Sequence, residues 1–108
     1  MKIIYVDDEE IQLENFQITA KDIDGMEDLK LFSDSRQAYE WAKEHPVDVA
    51  FLDIEMPHMD GIRLAEKLKE INRRTCIIFV TAYEQYALEA MNARPAGYLL
   101  KPYGRADI

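Results

Sequence analysis

Short, almost wholly apolar runs that end on polar residues constrain the fold of this chain more than any other feature. The clearest is the stretch from Val47 to Pro57, which reads VDVAFLDIEMP. A run of this kind, bounded by turn residues, indicates a strand that is buried on both faces. The run closes on the carboxylate of Asp53, and Pro57 forces an extended or turn conformation on Met56. We therefore expect the chain to leave a buried sheet at Asp53.

Similar runs alternate with helical patterns along the whole chain. The predicted strands are Lys2–Val6, Leu29–Phe32, the run that opens at Val47, Cys76–Val80 and Gly97–Leu100. Four helices are predicted. The first runs from Glu9 to about Ala20, with Leu13, Phe16 and Ala20 facing inward, and the second is capped by Ser33 or Asp34 and ends near Glu44. The third is capped by Asp60 and carries Leu64, Ala65, Leu68 and Ile71 on one stripe, and the fourth runs from Tyr83 to about Asn92, with Ala87, Ala90 and Met91 facing inward. Gly25 marks a turn.

This alternation is typical of an α/β fold whose parallel sheet is covered on both faces. Five strands, five helices and their loops need roughly 115 to 120 residues, whereas the chain has 108. It is therefore about one helix short, and residues 103–108 could only begin a fifth helix. Either that helix is missing or these residues were cut from something longer.

Composition limits the classes of function. The chain has 13 basic and 21 acidic residues, a formal net charge of -8, which argues against direct binding of nucleic acid by this segment. No apolar run approaches the roughly 18 residues of a membrane span, and the N-terminus lacks a signal-peptide pattern. A single cysteine, Cys76, precludes a disulfide framework. We expect a cytoplasmic protein that does not bind membranes.

Polar residues at the strand ends form a chemically coherent set. Asp7 and Asp8 follow the first strand, Asp53 the third, Thr81 the fourth and Lys101 the fifth. All these ends lie on one edge of a parallel sheet, where ligands of such folds bind. Clustered carboxylates favour a hard cation such as Mg²⁺, and a carboxylate can attack phosphorus to form an aspartyl phosphate. An ammonium and a hydroxyl could neutralise and orient the phosphoryl oxygens.

With these residues in place, the sequence resembles the receiver domain of two-component response regulators over nearly its whole length. The matching elements are the acidic pair Asp7-Asp8, Asp53 within LDIEMPHMDG, Thr81, the aromatic Tyr98 on strand five, and Lys101-Pro102. The resemblance implies a flavodoxin-like three-layer sandwich with strand order 2-1-3-4-5, in which the length of this chain leaves the fifth helix missing or truncated. It also implies a cis peptide bond before Pro102.

The resemblance assigns roles residue by residue. Asp53 would accept the phosphoryl group, with Lys101 paired to it and Thr81 hydrogen-bonded to it. Asp8, Asp53 and the backbone carbonyl of Glu55 would ligate Mg²⁺, and Asp7 would orient the metal shell directly or through water. Thr81 and Tyr98 would form the conformational switch. Glu55 and Tyr83 would tune hydrolysis of the phosphoryl group.

The resemblance also implies partners. A histidine kinase would supply the phosphoryl group to a signalling domain, residues 1–108, that is not an enzyme in its own right. The segments Thr81–Ala90 and Tyr98–Pro102 look like receivers joined to LytTR-type DNA-binding domains. DNA would then be contacted through an effector domain that this chain does not contain, and the output would be transcription. Because a missing fifth helix would uncover part of the sheet, we also expect self-association, such as a homodimer.

Three other functions remain as alternatives. A phosphatase of the haloacid dehalogenase type would require a second Asp two residues after the nucleophile, where this chain has Glu55. A flavodoxin-like nucleotide binder would require a glycine- or hydroxyl-rich loop where four acids stand, Asp7 to Glu10. A receiver-like interaction module that is never phosphorylated would not need the acceptor Asp53 and Lys101.

Several residues have no predicted role in the site. We expect Cys76 in the core, Trp41 packed on a helix face far from Asp53, and His45 and His58 solvated in turns. Tyr86 is expected to be an ordinary packing or surface residue.

Overall fold

A computed structural model describes residues 1–21 and 23–103. Its strands are β1 (Ile3–Val6), β2 (Leu29–Phe32), β3 (Val49–Leu52), β4 (Cys76–Thr81) and β5 (Gly97–Leu100). Its helices are α1 (Glu10–Ala20), α2 (Ser35–Ala42), α3 (Gly61–Ile71) and α4 (Ala87–Ala90), the last flanked by 3₁₀ turns at Glu84–Tyr86 and Met91–Ala93. The predicted sequence of elements is confirmed. The predicted loss of a fifth helix falls on residues 104–108, which lie outside the described residues.

All five strands run parallel in the order β2-β1-β3-β4-β5, as predicted. The central strands are short and apolar because both their faces are covered. On one face β1, β3 and β4 pack against α2, α3 and α4. On the other face Tyr5, Phe51 and Val80 pack against Leu13 and Phe16 of α1. The result is a three-layer arrangement in which the ends of β1, β3, β4 and β5 share one edge.

Side-chain caps start two of the helices where the sequence indicates. Asp34 accepts a hydrogen bond from the backbone N–H of Arg36, and Asp60 accepts one from the N–H of Arg63 at 2.8 Å. Each cap satisfies a backbone donor that lacks a partner in the first turn of a helix. Asp60 thereby fixes the start of α3 just after the loop that leaves Asp53.

The predicted helix over residues 83–92 is only partly helical. Within residues 83–93 the fully buried side chains are Ala90 and Ala93, whereas Met91, expected inward, is 67 % exposed. Two alanines bury little apolar surface, so packing does little to impose a regular α-helical period. The segment consequently breaks into one short α turn between 3₁₀ turns.

Three smaller predictions are also wrong. Cys76 is exposed because it is the first residue of β4, paired with Val49 at the amino-terminal end of the strand. Ile71 ends α3 and is 38 % exposed. His45 is half-buried because its ring stacks on Trp41, with centroids 4.2 Å apart. His58 is exposed, as predicted, and Trp41 packs against Phe32.

The start of α3 lies so close to the backbone after β3 that only glycine fits there. A Cβ at position 61 would overlap the carbonyl oxygen of Asp53, and the N–H of Gly61 donates to the carbonyl of Ile54 at 2.8 Å. A methyl group would therefore push α3 away from the strand that carries Asp53.

We predict that Gly61→Ala lowers the free energy of unfolding by roughly 2 kcal/mol, in the range of overpacking costs. Urea unfolding followed by circular dichroism measures this change. Gly97→Ala is the matched control, because its Cβ would meet Ile78 at an ordinary 3.5 Å. Equal stability of the two variants would contradict the close approach at Gly61.

Candidate functional site

The strand ends bring the predicted site residues together at one edge of the sheet. The N–H of Asp53 donates to the carbonyl of Val6 at 3.0 Å, and the N–H of Lys101 donates to the carbonyl of Thr81 at 2.8 Å. These hydrogen bonds continue the parallel ladders one residue beyond the strands. Asp53 is thereby fixed beside the end of β1, and Lys101 beside the end of β4.

Asp7 is fully buried and is held by three donors. Its Oδ2 accepts hydrogen bonds from the Tyr5 hydroxyl at 3.0 Å and from Lys101 Nζ at 2.7 Å. Its Oδ1 accepts from the N–H of Glu9 at 3.0 Å. A buried carboxylate requires such partners, because an unpaired charge in the interior is very costly. Both oxygens of Asp7 are therefore engaged by the protein.

Asp53 is less completely satisfied. It is 5 % exposed, its Oδ1 accepts from the N–H of Ile54 at 2.8 Å, and its Oδ2 lies 3.6 Å from Lys101 Nζ. Burial, together with the negative charge of Asp7, raises the pKa of Asp53 to about 6, although the ammonium of Lys101 opposes the shift. Asp53 thus carries a carboxylate that the protein solvates poorly and that an added cation would stabilise.

Oxygens of Asp7, Asp8 and Asp53 all lie within 4.8 Å of one another, a grouping that fits a metal ion. Carboxylate oxygens are the ligands of hard cations, and Mg²⁺ typically takes one or two carboxylates. Asp8 is exposed, and the ammonium of Lys101 lies 3.6 Å from Asp53 Oδ2, beyond hydrogen-bond distance, so these two residues can ligate an ion. Asp7, whose oxygens are occupied, lies behind them.

A cleft of about 720 Å³ opens beside this group, and Asp8, Asp53, Glu55, Tyr83 and Lys101 are among the residues that line it. Its walls combine carboxylates with one ammonium. It is large enough for a phosphorylated side chain to approach Asp53 from solvent.

Thr81 and Tyr98, the predicted switch residues, meet at the backbone of Tyr83. The buried Thr81 Oγ1 accepts from the N–H of Tyr83 at 3.4 Å. The Tyr98 hydroxyl donates to the carbonyl of Tyr83 at 2.6 Å, and partial burial raises the pKa of this tyrosine. The two side chains are therefore linked through one residue of the loop that follows β4.

Two tyrosines with specific contacts in the site were missed by the sequence analysis. The Tyr86 hydroxyl donates to Glu55 Oε2 at 2.6 Å, and this hydrogen bond raises the pKa of Tyr86 to about 12. The contact joins residues 31 apart, so no local pattern could have indicated it.

Tyr5 could have been found, because side chains two apart on a strand share a face, and Tyr5 precedes Asp7 by two. Burial raises the pKa of Tyr5, which keeps its hydroxyl protonated as a donor.

The peptide bond between Lys101 and Pro102 is cis, as predicted. None of the helices in residues 1–21 and 23–103 has the length and apolarity that crossing a membrane requires.

The raised pKa of Asp53 gives a prediction for the protein without metal. The folded state binds a proton on Asp53 more tightly than the unfolded state does, so this carboxyl lowers stability as pH rises from about 4 to 6. Asp53→Asn removes that loss and should be more stable than the parent by roughly 2 kcal/mol at pH 7, with a smaller difference at pH 4. Urea unfolding with a chelator present, at several pH values, measures it. A difference independent of pH would contradict the raised pKa.

The sequence model of the family described as "Response regulator receiver domain" matches residues 3–108. The chain is 32 % identical over 108 residues to the transcriptional regulatory protein YpdB of Escherichia coli, and 30 % identical to the transcriptional regulatory protein LytR of Staphylococcus aureus. Each alignment covers all of this chain and 44 % of the relative, so the chain spans less than half their length.

The fold is similar to that of solved receivers. The crystal structure of the response regulator protein TrrA from Thermotoga maritima, in complex with Mg²⁺-BeF, superposes with a TM-score of 0.85 at 26 % identity, covering 95 % of this chain and 89 % of that one. Its fold, the family match and the relatives all point to the same family. The chain belongs to the response regulator receiver domain family, the signalling domains of two-component systems.

Proposed function

We propose that this domain accepts a phosphoryl group from a histidine kinase on Asp53 and changes conformation as a result. The observation that carries the proposal is the state of Asp53: a buried carboxylate with a raised pKa, 3.6 Å from Lys101 and close to Asp7 and Asp8, at the wall of an open cleft. Such a carboxylate is poorly solvated and lies close to one ammonium, that of Lys101, which suits it to nucleophilic attack.

In the proposed transfer, a carboxylate oxygen of Asp53 attacks the phosphorus of a phosphohistidine. The new P–O bond gives an acyl phosphate while the P–N bond breaks, and the histidine nitrogen keeps that electron pair. Lys101 would turn from Asp7 to a phosphoryl oxygen, and the Thr81 hydroxyl would donate to another. These residues supply position and charge, which account for most of the catalysis in phosphoryl transfer.

The donor set fits Mg²⁺ as the cofactor of this step. Asp8, Asp53 and the backbone carbonyl of Glu55 would hold the ion, with Asp7 orienting its shell from behind. Bound there, Mg²⁺ supplies positive charge that offsets the carboxylates and the incoming phosphoryl oxygens. The structure of TrrA in complex with Mg²⁺-BeF supports the choice of ion.

The switch would operate through Tyr83, the residue that both Thr81 and Tyr98 contact. Movement of Thr81 toward a phosphoryl group would release the N–H of Tyr83, and Tyr98 would then lose its fixed acceptor and rotate inward. The segment after Tyr83 is short of buried side chains, so its rearrangement would cost little packing energy. Glu55 and Tyr83, at the mouth of the site, would tune hydrolysis of the acyl phosphate.

The output we propose is control of transcription. YpdB and LytR are transcriptional regulatory proteins, and each is more than twice as long as the segment that this chain matches. Their names are consistent with the LytTR-type subfamily. DNA would be bound by an effector domain joined to such a receiver, since the net charge of -8 disfavours direct binding. We accordingly place the domain in the cytoplasm, as a signalling domain that assists its own phosphorylation and dephosphorylation.

We predict that the purified protein, incubated with Mg²⁺ and acetyl phosphate, gains one phosphoryl group by intact mass. Asp53→Asn should gain none, because the amide is not a nucleophile. Asp48→Asn, the same change at the opposite end of β3, is the matched control and should be phosphorylated like the parent.

Measurement of Mg²⁺ binding by calorimetry separates the remaining outcomes. An adduct on Asp53→Asn equal to that on the parent would place the acceptor elsewhere. No adduct and no Mg²⁺ binding by the parent would favour a receiver-like interaction module that is not phosphorylated.

We also propose that the domain self-associates, and exposed apolar side chains on both helical layers support this. Ile18 on α1 is 70 % exposed, Leu88 on α4 is 87 % exposed, and Met91 in the 3₁₀ turn after α4 is 67 % exposed. We predict concentration-dependent dimers in sedimentation velocity, weakened by Leu88→Ser, since burial of such surface is favourable. A monomer at high concentration, with and without acetyl phosphate, would contradict this prediction.

A further inference from the structure

Tyr5 carries a hydroxyl group in a strand that is otherwise apolar. The side chain is fully buried, and its ring stacks on that of Phe16 with centroids 4.2 Å apart and an angle of 3° between the planes. The ring alone would satisfy this packing. The hydroxyl, which this packing does not need, donates a hydrogen bond to Asp7 Oδ2 in the candidate site.

Asp7 Oδ2 is also the atom that holds Lys101. The ammonium lies 2.7 Å from Asp7 Oδ2 and 3.6 Å from Asp53 Oδ2, so its closer contact is with Asp7. The proposed phosphoryl transfer requires this ammonium to turn toward the oxygens on Asp53. That movement would remove one of the two donors from the same buried carboxylate oxygen, which is costly unless the other donor stays.

We propose that Tyr5 is a positioning residue for phosphoryl transfer: its hydroxyl holds Asp7 and keeps that carboxylate hydrogen-bonded when Lys101 turns to the phosphoryl group. The inference rests on the proposed function. It assigns the hydroxyl to the movement of the lysine and not to binding of the metal, because both oxygens of Asp7 already accept hydrogen bonds from the protein, whereas Asp8 is exposed and Asp53 Oδ2 lies 3.6 Å from the ammonium.

The test is Tyr5→Phe, which removes the hydroxyl and keeps the ring on Phe16. Without the hydroxyl, the departure of Lys101 removes the second of the two side-chain donors that residues 1–21 and 23–103 offer to Asp7 Oδ2. We expect the maximal rate of phosphorylation by acetyl phosphate at saturating Mg²⁺ to fall about tenfold, the size of a lost hydrogen bond to a charged group. The dissociation constant for Mg²⁺, measured by calorimetry, should change by less than about twofold.

Tyr39→Phe is the matched control. Tyr39 lies on α2, half-buried, with Lys43 and Lys67 beside its ring, and it is not among the residues that line the cleft beside Asp53. It should be phosphorylated at the parental rate. A second measurement uses unfolding: the stability lost in Tyr5→Phe should be smaller in the background of Asp7→Asn, because a neutral amide is the weaker acceptor.

An unchanged rate in Tyr5→Phe would overturn the proposal. So would a parallel loss of Mg²⁺ affinity and rate, since that result marks a general disturbance of the site. If the parent itself gains no phosphoryl group, the role in transfer fails together with the proposed function, and the unfolding comparison then shows whether the hydroxyl still serves Asp7 in the fold. If the stability loss is the same with and without the Asp7 carboxylate, the contact itself is overturned.

Discussion

The ion pair between Lys101 and the buried Asp7 is the interaction on which the site depends. It joins residues 94 apart, at the ends of β5 and β1, and so links the two sides of the candidate site across β3 and β4. Asp7 is wholly buried, and a carboxylate there is tolerable only because the ammonium, the Tyr5 hydroxyl and a backbone N–H all face it. Lys101 also lies 3.6 Å from Asp53 Oδ2, so the same ammonium can pair with either acid.

The excess of negative charge at this edge of the sheet makes the site sensitive to an added cation. Three carboxylates approach one another within 4.8 Å, and Lys101 is the ion-pair partner of two of them. Burial beside Asp7 raises the pKa of Asp53, so the folded protein retains an unfavourable interaction in the absence of a cation. Such strain is common in sites that bind metals or phosphoryl groups, because the ligand relieves it on binding. The fold tolerates it because the apolar layers on both faces of the sheet are extensive.

The loop after β4 is held largely by hydrogen bonds and has few buried side chains. Thr81 and Tyr98 both contact the backbone of Tyr83, and Tyr86 reaches across to Glu55, so hydrogen bonds more than packing hold this region. Hydrogen bonds exposed to solvent are individually weak and exchange readily with water. A segment fixed in this way can change conformation when one contact at the site changes, while β3 and β4 below it stay rigid.

The sequence by itself determined the order of the elements, the parallel sheet and the strand-end residues, because apolar period and turn residues are local signals. It also indicated the caps Asp34 and Asp60. Only the tertiary structure decided which oxygen of Asp7 meets Tyr5 and Lys101, and that Tyr86 reaches Glu55, because contacts between distant residues leave no local pattern. The exposure of Cys76 was likewise decided by the register of β4 against β3, which fixes where the sheet ends.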